Sequence, residues 1–179
     1  MAEISGGNRL QVALQGMARK LASAKSVRVG FLENATYPDG TPVAMVAAIQ
    51  EFGAPKVGIP PRPFFRNMIA AKSSEWPKAI GDLLIANDYD AEKTLKLTGE
   101  GIRGQLQQSI IDTNAPELSP VTLMLRKMKS QNPDLIVTGT VVAEARSRVA
   151  AGESSAGVST KPLTETGHML NSIDFEVTT

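Results

Sequence analysis

Gly99, Gly101 and Gly104 spell GEGIRG, a G-x-G-x-x-G pattern of the kind that lets backbone amides approach a dinucleotide pyrophosphate. That chemistry needs the glycines directly after a buried strand and an acidic residue about twenty positions further on for the ribose hydroxyl. Here they interrupt a helical apolar stripe of Ala91, Leu95, Thr98, Ile102, Leu106 and Ile110, and the ribose position falls in SPVTLML, which has no acid. Packing is the better reading: glycines on one helix face let another backbone come close. A nucleotide-binding enzyme built on residues 99–104 stands as the alternative from a different class.

The other candidates for chemistry are sparse. His168 is the only histidine and there is no cysteine, whereas a zinc site needs several such ligands. A lone histidine in a short terminal helix reads as structural or exposed. Arg126, Lys127 and Lys129 form the densest basic patch, without interleaved aromatics on which bases could stack. Contact with DNA would be confined to weak phosphate interactions, with no sequence-specific nucleic-acid partner. Asp88, Asp90 and Glu117 lie beside turns and read as helix caps rather than as an acid–base pair. The expectation is a chain that is not an enzyme, with no catalytic residue, no cofactor and no metal.

The totals agree with a folded, globular chain. The 179 residues suit a single domain, 1–179, with ample material for a core. Hydrophobic residues make up 42 % and charged residues 21 %, which excludes a disordered chain. Net charge is +1, spread over both halves, which argues against a dedicated nucleic-acid binder. Without cysteine there are no disulfides and no thiolate chemistry. No apolar run reaches transmembrane length and the N-terminus lacks a signal-peptide core, so synthesis in a cytoplasm and no membrane partner are expected.

The elements that must position these residues are legible in part. Leu10, Leu14, Met17 and Leu21 are spaced four, three, four, one stripe of a helix over 8–24. SVRVGFLE, 26–33, predicts a strand with Val27, Val29 and Phe31 on one face, and 34–40 a loop with a Pro-Asp-Gly turn. A helix from Pro63 towards Trp76 must break at Pro77. Helical segments follow over 78–86, 90–111, 120–128 and 141–150; Ser119-Pro120 caps and opens the third. DLIVT, 134–138, fits a strand or a helix start. Residues 152–160 are small and polar, a loop; Thr166 caps a turn over 167–171, and 172–177 alternates as a strand with Ile173, Phe175 and Val177 together.

Residues 41–66 organise the rest. Thr41 suits a helix cap, Pro42 the first helical position, and Gly53 the end of a helix running to Phe52. Residues 54–63 hold Pro55, Pro60, Pro61 and Pro63, which predicts a stiff, extended arm. Phe64 and Phe65 then open the next helix about 100° apart, so that one can face the core while the other meets a neighbouring chain.

With two later segments, this stretch resembles tailed-bacteriophage minor tail proteins of the tail-completion, or neck, family, and the related virion-morphogenesis proteins. The matching residues are Glu51-Phe52-Gly53 with Ile59-Pro60-Pro61-Arg62-Pro63-Phe64, then Leu118-Ser119-Pro120-Val121-Thr122-Leu123, then the run from Lys161-Pro162-Leu163 through Thr166-Gly167 to Ser172-Ile173. The three occur in the family's order and cover about half the chain; residues 131–160 depart from its spacing and read as an insertion.

The resemblance implies a virion structural subunit at the head-proximal end of the tail, acting in head–tail joining, or, alternatively, a tail terminator or head–tail connector (stopper). It implies a homo-oligomeric ring, six copies to match tail symmetry, with the tail terminator, tail tube or connector as partners, and no catalysis. Phe52, Ile59, Pro60, Pro61, Arg62, Pro63, Phe64 and Phe65 are the expected contacts with neighbouring subunits. The fold expected is α+β: a small, mainly antiparallel sheet packed against several helices, with the proline-rich arm extended from it.

Overall fold

The computed structural model describes residues 7–33 and 35–178. Among the described residues, eight α-helices and two strands make an α+β fold: α1 (Gly7–Leu21), β1 (Ser26–Gly30), α2 (Val43–Phe52), α3 (Phe64–Lys72), α4 (Trp76–Ala86), α5 (Ala91–Asp112), α6 (Pro120–Gln131), α7 (Gly139–Ala150), α8 (His168–Asn171) and β2 (Asp174–Thr178). The strands pair antiparallel, Ser26 opposite Thr178 and Gly30 opposite Asp174, so the strand that follows α1 and the last described residues close one ribbon.

Helix α5 is the axis of the molecule. Asp90 caps it by accepting the Lys93 N–H, and its 22 residues carry α3 and α4 as well as the ribbon. A two-stranded ribbon is marginal in water and needs a helix against it. Gly99 is where that happens: a Cβ there would lie 2.5 Å from the Phe175 ring and 2.9 Å from Val27. The packing role read for the glycines thus holds at Gly99, against two side chains of the ribbon. Gly101 and Gly104 face open space.

The main core joins Val43, Ala47, Phe64, Met68, Leu106, Ile110, Met169 and Ile173. A second, smaller cluster is formed by α6 and α7: Met124, Met128 and Ala145, with Val121, Leu125, Leu135, Val141 and Val149 around them. Most of residues 131–160 therefore serve to place α7 on α6.

Several boundaries move for identifiable reasons. Pro42, not Thr41, precedes the first helical residue of α2, and Thr41 instead gives its N–H to Asp39 Oδ1 in a turn. Helix α3 stops at Lys72, and Pro77 sits in the first turn of α4, where its missing N–H costs nothing. DLIVT is neither strand nor helix; Ile136 and Val137 lie exposed in the α6–α7 connection. Asn34, the first residue of the predicted 34–40 loop, lies outside the described residues.

Candidate interaction surface

Helix α2 ends where Gly53 takes φ +76°, a conformation that L side chains rarely adopt. The following chain crosses so closely that a Cβ on Gly53 would lie 2.8 Å from the Pro61 nitrogen and 2.9 Å from the Ile59 carbonyl oxygen. Residues 54–59 then close on themselves: Ala54 and Ile59 form a bridge with mutual N–H···O bonds of 2.8 and 3.1 Å, around a short 3-10 turn, Pro55–Val57. The expectation of a straight arm over 54–63 is thereby corrected. Residues 60–62 lie against their own chain, with the Arg62 N–H donating to the Gln50 carbonyl at 2.6 Å, and Pro63 turns the backbone into α3 with the Phe64 N–H donating to the Arg62 carbonyl at 2.8 Å. Proline made the segment stiff, but Gly53 and Gly58, both at positive φ, let it turn back.

Two charged residues explain why the turn returns to that place. Glu51 is buried, and its carboxylate accepts the N–H groups of Phe65 (2.9 Å) and Arg66 (3.2 Å). These are free amides of the first turn of α3, and a carboxylate there satisfies them and the helix dipole together. Arg66 folds over to pair with the same carboxylate at 2.7 Å, its guanidinium 5.0 Å above the Phe52 ring. Glu51 thus fastens the end of α2 to the start of α3.

Arg62 is equally buried and meets no carboxylate among the described residues. Its Nη1 donates to Gln50 Oε1, its Nε to the Pro116 carbonyl and its Nη2 to the Glu117 carbonyl, at 3.0, 2.9 and 3.1 Å. Burial, and then the positive charge of Arg126, pull its pKa below the ordinary arginine value. Arg126, also buried, donates through Nη1 to the carbonyls of Ser159 and Lys161 and pairs with Glu165 through Nε at 3.1 Å. A cleft of about 290 Å³ brings together Gln50, Leu118, Thr122, Arg126, Leu163, Glu165, Thr166 and Met169. All three family-like segments, or residues directly beside them, border this cleft or bond to its walls.

The expected contact residues separate into two groups. Phe64 is 1 % exposed, at the centre of the core and edge-on to Phe31 at 6.3 Å, and Arg62 is 4 % exposed. Both are corrected from partner anchors to internal supports, because each is already saturated by its own chain. Ile59, Pro60 and Pro63 are half-buried and Pro61 is exposed. Phe65 is half-buried beside the core, and Phe52 is 64 % exposed. Phe52 and Phe65 line a groove of about 230 Å³ with Phe31, Ala44, Ala48 and Arg66. The groove was missed from the sequence, although Ala44, Ala48 and Phe52 recur every four residues on α2, a legible face.

The residues considered for chemistry have ordinary partners. His168 Nε2 lies 2.9 Å from the Thr36 carbonyl oxygen, and its ring packs on Tyr37 at 4.7 Å. Lys127 pairs with Glu153 at 3.1 Å. Burial, and then the charge of Asp39, push the Tyr37 phenol above its usual pKa, while the Thr41 N–H holds Asp39 below the usual carboxylate range. Among the described residues no helix is long and apolar enough to cross a membrane. No family model, curated protein or solved structure matches this chain.

Proposed function

We propose that this chain is a structural subunit of a tailed-phage virion, a tail-completion or neck protein that works at the head-proximal end of the tail by assembling into a ring. The observation that carries the reading is the meeting of the three family-like segments. Arg62 of the first binds the carbonyls of Pro116 and Glu117, immediately before Leu118 of the second. Arg126, just past the second, holds Lys161 and Glu165 of the third. Segments whose contacts span 35 to 55 residues of chain share one buried polar seam, as parts of a single inherited unit should. Between them they join the core, the α6–α7 pair and the ribbon end into one body that can carry load between neighbours.

In this reading the contacts with the tail terminator, tail tube or connector are made by exposed surface around that seam, and no bond is made or broken. The test is location. Epitope-tagged chain, labelled in particles purified from the host that makes it, should mark the head–tail junction, and particles made without it should fall into separate heads and tails. Label confined to the tail tip or the capsid, or intact particles made without the chain, would overturn the proposal. A label one layer above or below would move the assignment to a terminator or connector.

A further inference from the structure

Arg126 has more hydrogen-bonding capacity than its own chain uses. A guanidinium carries five N–H donors in a fixed plane, a pair on each Nη and one on Nε. The Nη1 pair is spent on the Ser159 and Lys161 carbonyls, at 2.6 and 2.9 Å. Nε is sealed from solvent, with Glu165 Oε2 at 3.1 Å but out of line for a hydrogen bond. Nη2 donates to nothing among the described residues. Donors left unused on a side chain only 8 % exposed are costly, and an acceptor reaching both Nε and Nη2 would remove that cost.

The charges around Arg126 are out of balance as well. Arg62 is buried close enough for the two guanidiniums to oppose one another. Lys129 stands exposed at the same cleft, with no ion pair or hydrogen bond among the described residues. The carboxylates that answer these cations are Asp39 and Glu165. Asp39, near enough to Lys129 to feel its charge, accepts the Thr41 N–H in its own turn, and Glu165 is 42 % exposed. The cleft measures about 290 Å³. That is at the lower limit of small-molecule pockets, about 300 Å³, with room for a side chain rather than a cofactor. Its apolar walls are Val46, Leu118, Leu163 and Met169. Excess positive charge asks for an anion, and these walls ask for carbon beside it. An inorganic anion leaves the walls unused, and a nucleic-acid backbone brings further phosphates up against Glu165.

We propose that this cleft takes the carboxylate of an acidic side chain from a protein partner, one flanked there by apolar residues. The carboxylate lies in the plane of the Arg126 guanidinium and accepts from Nε and Nη2 together, the bidentate arrangement that arginine and carboxylates favour. Glu165 stands in for it in the free chain. Its nearer oxygen is out of line, and the side chain is exposed enough to swing into solvent when a better-placed group arrives. Lys129, at the rim, draws the acid in. The site is the same whether the chain works in a virion or elsewhere, so the labelling of particles neither supports nor removes it.

The test titrates the isotope-labelled full chain with three probes: the capped tripeptide Leu-Glu-Leu, its Leu-Gln-Leu counterpart, and inorganic phosphate. The Arg126 Nε–H signal in nitrogen–proton NMR spectra should shift and saturate with the glutamate peptide. The glutamine peptide, which cannot make the charge-assisted pair, should bind about tenfold more weakly or worse. Glu165→Gln removes the competing carboxylate at a partly exposed position and should tighten binding of the glutamate peptide by up to about fivefold. Lys129→Gln should weaken it by a similar factor. An Arg126 signal unmoved in both wild type and Glu165→Gln at about 10 mM glutamate peptide overturns the proposal. So does equal binding of the glutamine peptide, which would mean apolar contact alone, or phosphate binding as tightly as the glutamate peptide. Weaker binding by Glu165→Gln also overturns it, since Glu165 would then be part of the site and not its stand-in. Should that variant fail to fold, the comparison of the two peptides on wild type decides by itself.

Discussion

Gly99, Gly101 and Gly104 allow a sharp test, because the structure gives one pattern two opposite outcomes. Replacing a helical glycine by alanine gains about 1 kcal/mol of helix propensity. At Gly101 and Gly104 nothing lies within 4 Å of the added methyl, so the gain should survive. At Gly99 the methyl would sit 2.5 and 2.8 Å from two carbons of the Phe175 ring and 2.9 Å from Val27. The ring also has the Arg103 guanidinium 5.7 Å from its centre, a contact that moving it would disturb. Overpacking of this kind costs about 1–3 kcal/mol, which outweighs the propensity gain across most of that range. In a chain of this size 1 kcal/mol moves Tm by about 2–4 °C. Gly104→Ala should therefore raise Tm by a few degrees and Gly99→Ala should lower it by up to about 4–8 °C if the loss reaches 2 kcal/mol. Phe175→Leu in the Gly99→Ala background should recover part of the loss beyond what the single changes add to. Thermal unfolding followed by circular dichroism reads each of these variants and the Phe175→Leu single change. If the three alanine variants shift together in one direction, the close approach of ribbon and helix at Gly99 is wrong.

Three further outcomes follow from the polar seam and its neighbours. Glu51→Ala removes the acceptor for two first-turn amides of α3 and the partner of Arg66, and should cost about 2–3 kcal/mol in urea unfolding; a loss below half a kcal/mol would show that water replaces it. Arg62→Lys cannot reach Gln50, Pro116 and Glu117 together and should cost about 2–4 kcal/mol; equal stability would mean the fork geometry is idle. Because the Tyr37 pKa is raised when folded, its contribution is complete below the free phenol value of about 10 and fades as pH climbs through the folded one. Wild type should thus lose stability more steeply than Tyr37→Phe above about pH 10, and parallel curves would contradict the burial of the phenol.

Local signals decided much of this fold. The two strands, the long helix α5, the Ser119-Pro120 start of α6 and the α2 end at Gly53 were all legible, because periodicity, caps and positive-φ glycines act over a few residues. So was the arrangement of antiparallel sheet against helices. The return of residues 54–63 onto their own chain was not. Prolines announce stiffness but not direction, and the direction is set by Glu51 meeting the amides of Phe65 and Arg66 and by Arg62 meeting carbonyls more than fifty residues away. The two adjacent phenylalanines looked alike in sequence, yet burial took Phe64 whole and left Phe65 partly in view. The stripe on α1 is the converse case: its spacing was plain from the residues, but that its own chain leaves it exposed is a fact about neighbours in space, which no pattern along a single helix contains.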